Sequence, residues 1–341
     1  MDTSCTSLPI AITMGCPAGI GPEIILKYFS SQPSSERPPS VVIGDTSVLL
    51  ETGRNLDLPA PMHSWLPGNE VVKDHINILD LQSLSSGTVV PGQPDRTTGT
   101  AMMLYLERAV TLCTGSMLAG ITTCPISKET MNAAGYNFPG HTEFLAQRTH
   151  SENVIMMMAG SRLKITLATI HCSLSSVPSL LTAGKLRTLI ELTQRALQID
   201  FGIRSPKIAV AGLNPHGGEH GLFGTEEQEV IQPAIEQMRK IHAIDVSGPF
   251  PPDTVFYKAA AGDFDVVICM YHDQGLIPFK MIHFTDGVNV TLGLPLVRTS
   301  VDHGTAYDIA GQGRADHRSL SAAVEMAALI ARNRRENVSF Q

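Results

Sequence analysis

The sequence predicts an α/β fold built on mostly parallel sheet, on three observations. Short apolar runs at residues 9–14, 40–43, 118–122, 165–170, 207–211 and 265–270 are bounded by Gly- and Pro-containing loops, as buried strands are. Helical stretches at 23–29, 101–113, 186–198, 226–239 and 321–332 fall between them. Strands alternating with helices imply parallel pairing with helices on both faces of the sheet. The length of 341 residues suggests about two domains. Such folds place ligands at the carboxyl ends of the strands, so the loops that follow them carry the candidate chemistry.

Composition narrows the function. An apolar content of 43% supports a sizeable core, and the net charge of −7 argues against a nucleic-acid footprint, which needs a basic face. The longest apolar runs, such as 266–270, fall far short of the ~20 residues of a membrane span. No basic n-region opens the chain, so a cytoplasmic location is expected. Six scattered cysteines, none in a CxxC pair, read as buried free thiols of a reducing compartment. The Ser- and Pro-rich stretch 30–40 reads as an exposed loop, and the polar tail after Arg332 is expected to fray.

Three of the twelve histidines follow expected strands or sit in Gly/Pro loops: His171 in ATIHCSL, His216 in LNPHGGE and His272 in MYHDQG. Singly, each reads as strand-end packing. Together they suggest three neutral imidazoles around an open position, the pattern of a catalytic metal site. Metal-bound imidazoles are oriented by a carboxylate or carbonyl on the other ring nitrogen. Asp253 and Asp273 are candidates. Neighbouring residues seldom bond ring to carboxylate, so Asp273 is expected to orient a ligand other than His272.

The first strand runs into MGCPAGIGPEI, where Gly15, Gly19 and Gly21 allow either close approach to a ligand or a tight strand-to-helix turn. In PGHTEFLAQ, His141 and Thr142 stand at an expected helix start, where backbone amides favour an anion. Lys280, Asn289 and Arg298 punctuate apolar sequence, and Lys and Arg suit phosphate or carboxylate.

MGCPAGIGPEI, TTCPISKE, PGHTEF, NPHGGE with GTEE, GPFPPDT, MYHDQG, GVNVTLGLP and RTSVDHGTAYDIAG occur in the order found in the 4-phosphohydroxy-L-threonine dehydrogenase (PdxA) family. The chain resembles that family over about residues 10–327. The resemblance implies an α/β/α chain of two subdomains, of the isocitrate/isopropylmalate dehydrogenase type, with residues 1–125 and 285–341 in one and 126–284 in the other. It implies a homodimer whose active sites draw on both subunits. A divalent metal, zinc with magnesium or cobalt as alternatives, would fall to His171, His216 and His272. The phosphorylated substrate would fall to His141, Thr142, Lys280, Asn289 and Arg298, with Asp253, Asp273 and Lys128 as catalytic or supporting residues. DHGTAYDIAG also resembles the dinucleotide loop of the isocitrate dehydrogenases, which puts NAD or NADP near His303, Gly304, Thr305, Ala306 and Asp308.

The implied activity oxidises 4-phosphohydroxy-L-threonine to 2-amino-3-oxo-4-phosphooxybutanoate. That 3-oxo acid loses carbon dioxide to give 3-amino-2-oxopropyl phosphate, a step of vitamin B6 biosynthesis. Rival readings are a dehydrogenase of D-threonate or D-erythronate 4-phosphate, a dihydrodiol dehydrogenase without a phosphate grip, and a non-catalytic binding module. The chain departs from the family pattern at Cys16, where Asp or Glu is usual, and at Ser127, where Asn is common.

Overall fold

The structure is a computed structural model that describes residues 8–338. Its strands are β1 (Ile10–Thr13), β2 (Ser40–Gly44), β3 (Met62–Ser64), β4 (Ile76–Asp80), β5 (Gly120–Thr123), β6 (Ile155–Ala159), β7 (Lys164–Leu167), β8 (Ile208–Ala211), β9 (Val246–Phe250), β10 (Val266–Cys269), β11 (Val288–Leu292) and β12 (Arg298–Val301). The helices are α1 (Gly21–Ser31), α2 (Thr46–Asn55), α3 (Arg96–Thr114), α4 (Lys128–Ala133), α5 (His141–Arg148), α6 (Val177–Leu180), α7 (Ala183–Ile199), α8 (Gln232–His242), α9 (Pro252–Ala260), α10 (His272–Ile282) and α11 (Arg318–Val338).

Every apolar run expected to be a strand is one: β1, β2, β5, β7, β8 and β10, buried throughout except at Lys164. A fully covered parallel strand must be apolar on both faces, so these were the visible ones. Most of the remaining strands carry polar or turn residues, as in VNVTL, RTSV and VSGPF, and give no such signal, whereas β6, IMMMA, is apolar throughout and is not among the expected strands. The stretch 226–239 divides into a π turn, Glu227–Ile231, followed by α8.

Two compact units form: Met1–Glu152 with Leu294–Ala331, and Asn153–Gly293 with Arg332–Gln341. In the first, the strands run in the order β3-β4-β2-β1-β5-β12, all parallel. Its core includes Ile24, Tyr28 and Tyr105. The buried Asp45 carboxylate is satisfied by the Ser83 amide and hydroxyl, each at 2.6 Å, and by the Tyr105 hydroxyl. In the second unit the order is β11-β6-β7-β10-β8-β9, with β6 antiparallel to both neighbours and the rest of the row from β7 parallel. Its core is built on Ile165, Leu167, Val267, Val255 and Phe279.

The division falls later in the chain than the resemblance implies. Residues 126–152 pack with the first unit because α3 and α4 are in close contact. A Cβ at Gly99 would lie 2.4 Å from the Thr130 carbonyl oxygen, and Arg148 pairs with Glu107 at 2.6 Å. Residues 285–293 belong to the second unit because β11 pairs with β6.

The tail does not fray at Arg332. Helix α11 runs on to Val338, and the Arg334 guanidinium donates to both Asp200 oxygens, at 2.7 and 3.0 Å. Asn333 donates to the Asp200 carbonyl at 2.7 Å. The thiols are free as expected but not uniformly buried: Cys172 is exposed and Cys113 half-buried, while Cys5 lies outside the described residues. No described helix is long and apolar enough to cross a membrane.

Candidate active site

In the second unit, β7, β10, β8 and β9 are neighbours and parallel, so their carboxyl ends form one edge. His171 follows β7, His272 opens α10 after β10, His216 follows β8, and Asp253 lies in the first turn of α9 after β9. Parallel pairing thus gathers at one edge residues far apart in sequence.

The His171 and His272 ring centroids are 6.0 Å apart, tilted by 35°. Two imidazoles on one tetrahedral metal would stand roughly 5 Å apart, so this pair stands wider than one ion would hold it. His216 stands 6.2 Å from the Phe223 ring. Among the described residues no group of three or more His, Cys, Asp or Glu converges closely enough within one chain to hold an ion.

One expectation is reversed. Asp273 does bond its neighbour: His272 Nδ1 lies 2.7 Å from Asp273 Oδ1. Position explains it, since the two residues open α10 and both side chains are substantially exposed, free to turn toward each other. The carboxylate holds the proton on Nδ1 and leaves Nε2 as the available donor atom.

His216 sits in a run of left-handed residues, with φ of 56° at His216, 67° at Gly217, 80° at Gly218, 42° at Glu219 and 55° at His220. Non-glycine residues take this conformation at a cost, so something must hold the turn. Glu227 does so: its Oε1 accepts from the Leu213 and Asn214 amides, both at 2.7 Å, and its Oε2 from the Asn214 side chain at 2.9 Å. At Gly218 a Cβ would come within 2.5 Å of Glu227 Oε2. Gln274 braces the neighbouring loop, receiving the Met270 amide and donating to the Gly212 carbonyl, each at 2.7 Å. Sequence reasoning named neither residue as functional, although GTEE was a visible signal for Glu227.

The first unit carries a different chemistry. Arg298, on β12 and 3% exposed, donates to the Thr123 hydroxyl at 2.8 Å. Burial lowers its pKa to about 10, with Glu143 opposing the shift, so the guanidinium stays charged at neutral pH. His141 and Thr142 open α5, as expected, behind Gly140, with no side-chain cap on the helix. His141 Nε2 is buried with no hydrogen-bond partner. Burial and the Arg298 charge hold this imidazole well below its ordinary pKa, hence neutral. Lys128 is exposed, and its Cε lies 3.9 Å from the Cβ position of Gly140, beside the start of α5. A buried cation, an unsatisfied ring nitrogen and an uncapped helix start together suit an anionic ligand. Lys280, half-buried on α10, and Asn289, on β11 with a buried unpartnered Oδ1, belong to the second unit.

His303, Gly304, Thr305, Ala306 and Asp308 form the loop after β12, with Ala306 left-handed at φ 43°. The loop packs on the turn that follows β1, where the Ile20 amide donates to the Thr305 carbonyl at 3.1 Å. Of the two roles left open for the glycines of that turn, the tight-turn role is realised. A Cβ at Gly15 would lie 2.4 Å from the Pro125 oxygen, at Gly19 3.0 Å from the Thr305 oxygen, and at Gly21 2.0 Å from the Met14 oxygen. They admit the protein's own backbone.

Residues 36–327 match the family model described as pyridoxal phosphate biosynthetic protein PdxA. A 4-hydroxythreonine-4-phosphate dehydrogenase of Desulforapulum autotrophicum is 50% identical over 331 residues, covering 94% of this chain and 95% of that one. The crystal structure of a 4-hydroxythreonine-4-phosphate dehydrogenase from Klebsiella pneumoniae superposes with a TM-score of 0.88 at 39% identity, covering 96% of this chain and 99% of that one. A relative from Oceanobacillus iheyensis, named provisionally as a D-threonate 4-phosphate dehydrogenase, is 41% identical and covers 94% of this chain and 97% of its own length.

Proposed function

Because the chain belongs to the PdxA family, we propose that it oxidises the carbinol of 4-phosphohydroxy-L-threonine, passing hydride to NAD or NADP. The observation that carries the substrate class is Arg298: a buried guanidinium beside a neutral histidine whose Nε2 has no protein partner. A dianionic phosphate would suit the buried guanidinium and give the orphaned His141 nitrogen a partner, with Thr142 and the opening amides of α5 as further donors. Lys280 and Asn289 are assigned to the same substrate on the resemblance.

His171, His216 and His272 would hold a divalent metal, and an all-imidazole set suits zinc or cobalt better than magnesium. The bound metal would supply Lewis acidity toward the substrate hydroxyl. Asp273 keeps His272 in one tautomer, and the Glu227-braced turn presents His216. Lys128 and Asp253 are the candidate bases. The loop 303–308 would take the dinucleotide. The 3-oxo acid product would then lose carbon dioxide, since its ketone accepts the electron pair released.

A homodimer belongs to the proposal. Ile277, Met281 and Phe284 are 60%, 83% and 78% exposed and recur at i, i+4 and i+7 along and just beyond α10. Such a stripe faces a partner more often than water. A reducing cytoplasm fits free thiols that include an exposed Cys172.

A second reading, oxidation of D-threonate or D-erythronate 4-phosphate, is favoured by the Oceanobacillus relative and would use the same phosphate grip. One experiment separates them: NAD and NADP reduction with added zinc, cobalt or magnesium across phosphorylated four-carbon hydroxy acids. Highest kcat/KM on 4-phosphohydroxy-L-threonine is expected. Preference for a threonate phosphate would overturn the first reading in favour of the second, and no turnover on any of them would sink both.

A further inference from the structure

Of the two positions where the chain departs from the pattern it resembles, Cys16 bonds the Tyr307 hydroxyl, which donates to its Sγ at 3.3 Å, and Ser127 lies close by, as does Thr305. Cys16 lies in the turn after β1, 1% exposed, and its carbonyl accepts from the Gly19 amide at 2.9 Å. Ser127 caps α4, accepting from the Thr130 amide at 3.2 Å. Tyr307 stands inside the loop assigned to the dinucleotide, directly after left-handed Ala306. Its backbone is also tightly seated, since a Cβ at Gly92 would lie 2.8 Å from the Tyr307 carbonyl oxygen.

We propose that Cys16 and Tyr307 form an uncharged clasp that sets the course of loop 303–308, making Tyr307 a positioning residue for dinucleotide binding. The inference rests on the reading of that loop as the dinucleotide site. The phenol joins two separate segments, the turn after β1 and the loop after β12. The backbone bond from Ile20 to Thr305 ties the same two segments. Burial is the main cause raising both the Cys16 and the Tyr307 pKa, the latter to about 12, so the clasp is neutral across the physiological range.

The test compares Tyr307→Phe, Cys16→Ala, Cys16→Ser and the Tyr307→Phe/Cys16→Ala double variant with the parent enzyme. Two readouts are used: hydrogen exchange of the 303–308 amides without ligands, and KM for the dinucleotide against KM for the phosphorylated acid. Tyr307→Phe and Cys16→Ala should each speed exchange in the loop and raise the dinucleotide KM about two- to tenfold, the worth of one ordinary hydrogen bond. Acid KM and kcat should hold. Cys16→Ser, which keeps an acceptor, should rescue, and the double variant should be no worse than either single one. Unchanged exchange, or fully additive effects in the double variant, overturns the clasp. Faster exchange with unchanged dinucleotide KM overturns its positioning role if Asp308→Ala does raise that KM. If Asp308→Ala also leaves it unchanged, the dinucleotide reading of the loop has failed, and the positioning role falls with it.

Discussion

His272 Nδ1 and Asp273 Oδ1, on consecutive residues at the start of α10, lie 2.7 Å apart. In the proposed metal site this contact would leave Nε2 of His272 to face the ion, with Asp273 as the group that orients the ring. Asp273→Asn keeps the size but loses the charge. Zinc affinity, titrated calorimetrically after chelator treatment, should fall about 10–100-fold. Equal affinity in parent and variant would show the contact to be idle. Removal of metal by chelator should abolish turnover reversibly.

Arg298 should matter only as far as the substrate is phosphorylated. Arg298→Lys keeps a charge but loses the planar fork, and should lower kcat/KM roughly tenfold to a hundredfold, or about 1.5–3 kcal/mol. The same assay on an unphosphorylated analogue should show a smaller loss. Equal losses on both would make Arg298 a structural residue, held by Thr123 for the fold alone.

Acid should destabilise the protein through His141. Burial, then the Arg298 charge, lowers its folded-state pKa well below 6.5, so between the two values the unfolded chain binds more protons than the native one. The stability is fully present above the unfolded pKa and is lost as pH falls from about 6.5 toward the folded value. Tm measured from pH 7.5 to 5 should drop more steeply for the parent than for His141→Asn. Parallel curves would mean that the ring titrates freely. Saturating phosphorylated substrate should also raise Tm by mass action.

Met281→Asp places a charge at the centre of the exposed α10 stripe. In a monomer an 83% exposed position tolerates this with little change in Tm. If the stripe covers a second copy, sedimentation should shift from dimer to monomer, and turnover should fall with it. A dimer of unchanged strength would move the interface elsewhere.

The glutamate that braces His216 offers a fifth check, on how the site is held. Glu227→Gln leaves one oxygen to serve amides that now have a carboxylate, and should cost about 1–3 kcal/mol in urea unfolding. Activity should fall further than stability alone explains, because the left-handed turn carries His216. Wild-type kcat at full folding would separate the turn from the chemistry.

The sequence by itself determined the α/β class, because strands buried on both faces must be continuous apolar runs, and β1, β2, β5, β7, β8 and β10 were visible for that reason. It also determined the candidate chemistry, since the motifs carry their residue types with them: His171, His216 and His272 in loops, His141 and Thr142 at a helix start, Arg298 in an apolar frame. What it could not hold was partnership between residues distant in the chain. Strand order put His171, His216, His272 and Asp253 on one edge, and packing of α4 against α3 moved residues 126–152 into the first unit. The grip of Glu227 on the left-handed turn, the use of the glycines after β1 for close contact with the protein's own backbone, and the bond between Tyr307 and Cys16 were likewise decided only on folding. The reason is one of range. Hydrophobic period and turn chemistry act over a few residues and are written locally, whereas a hydrogen bond or close packing contact between loops depends on the register in which separate strands have paired.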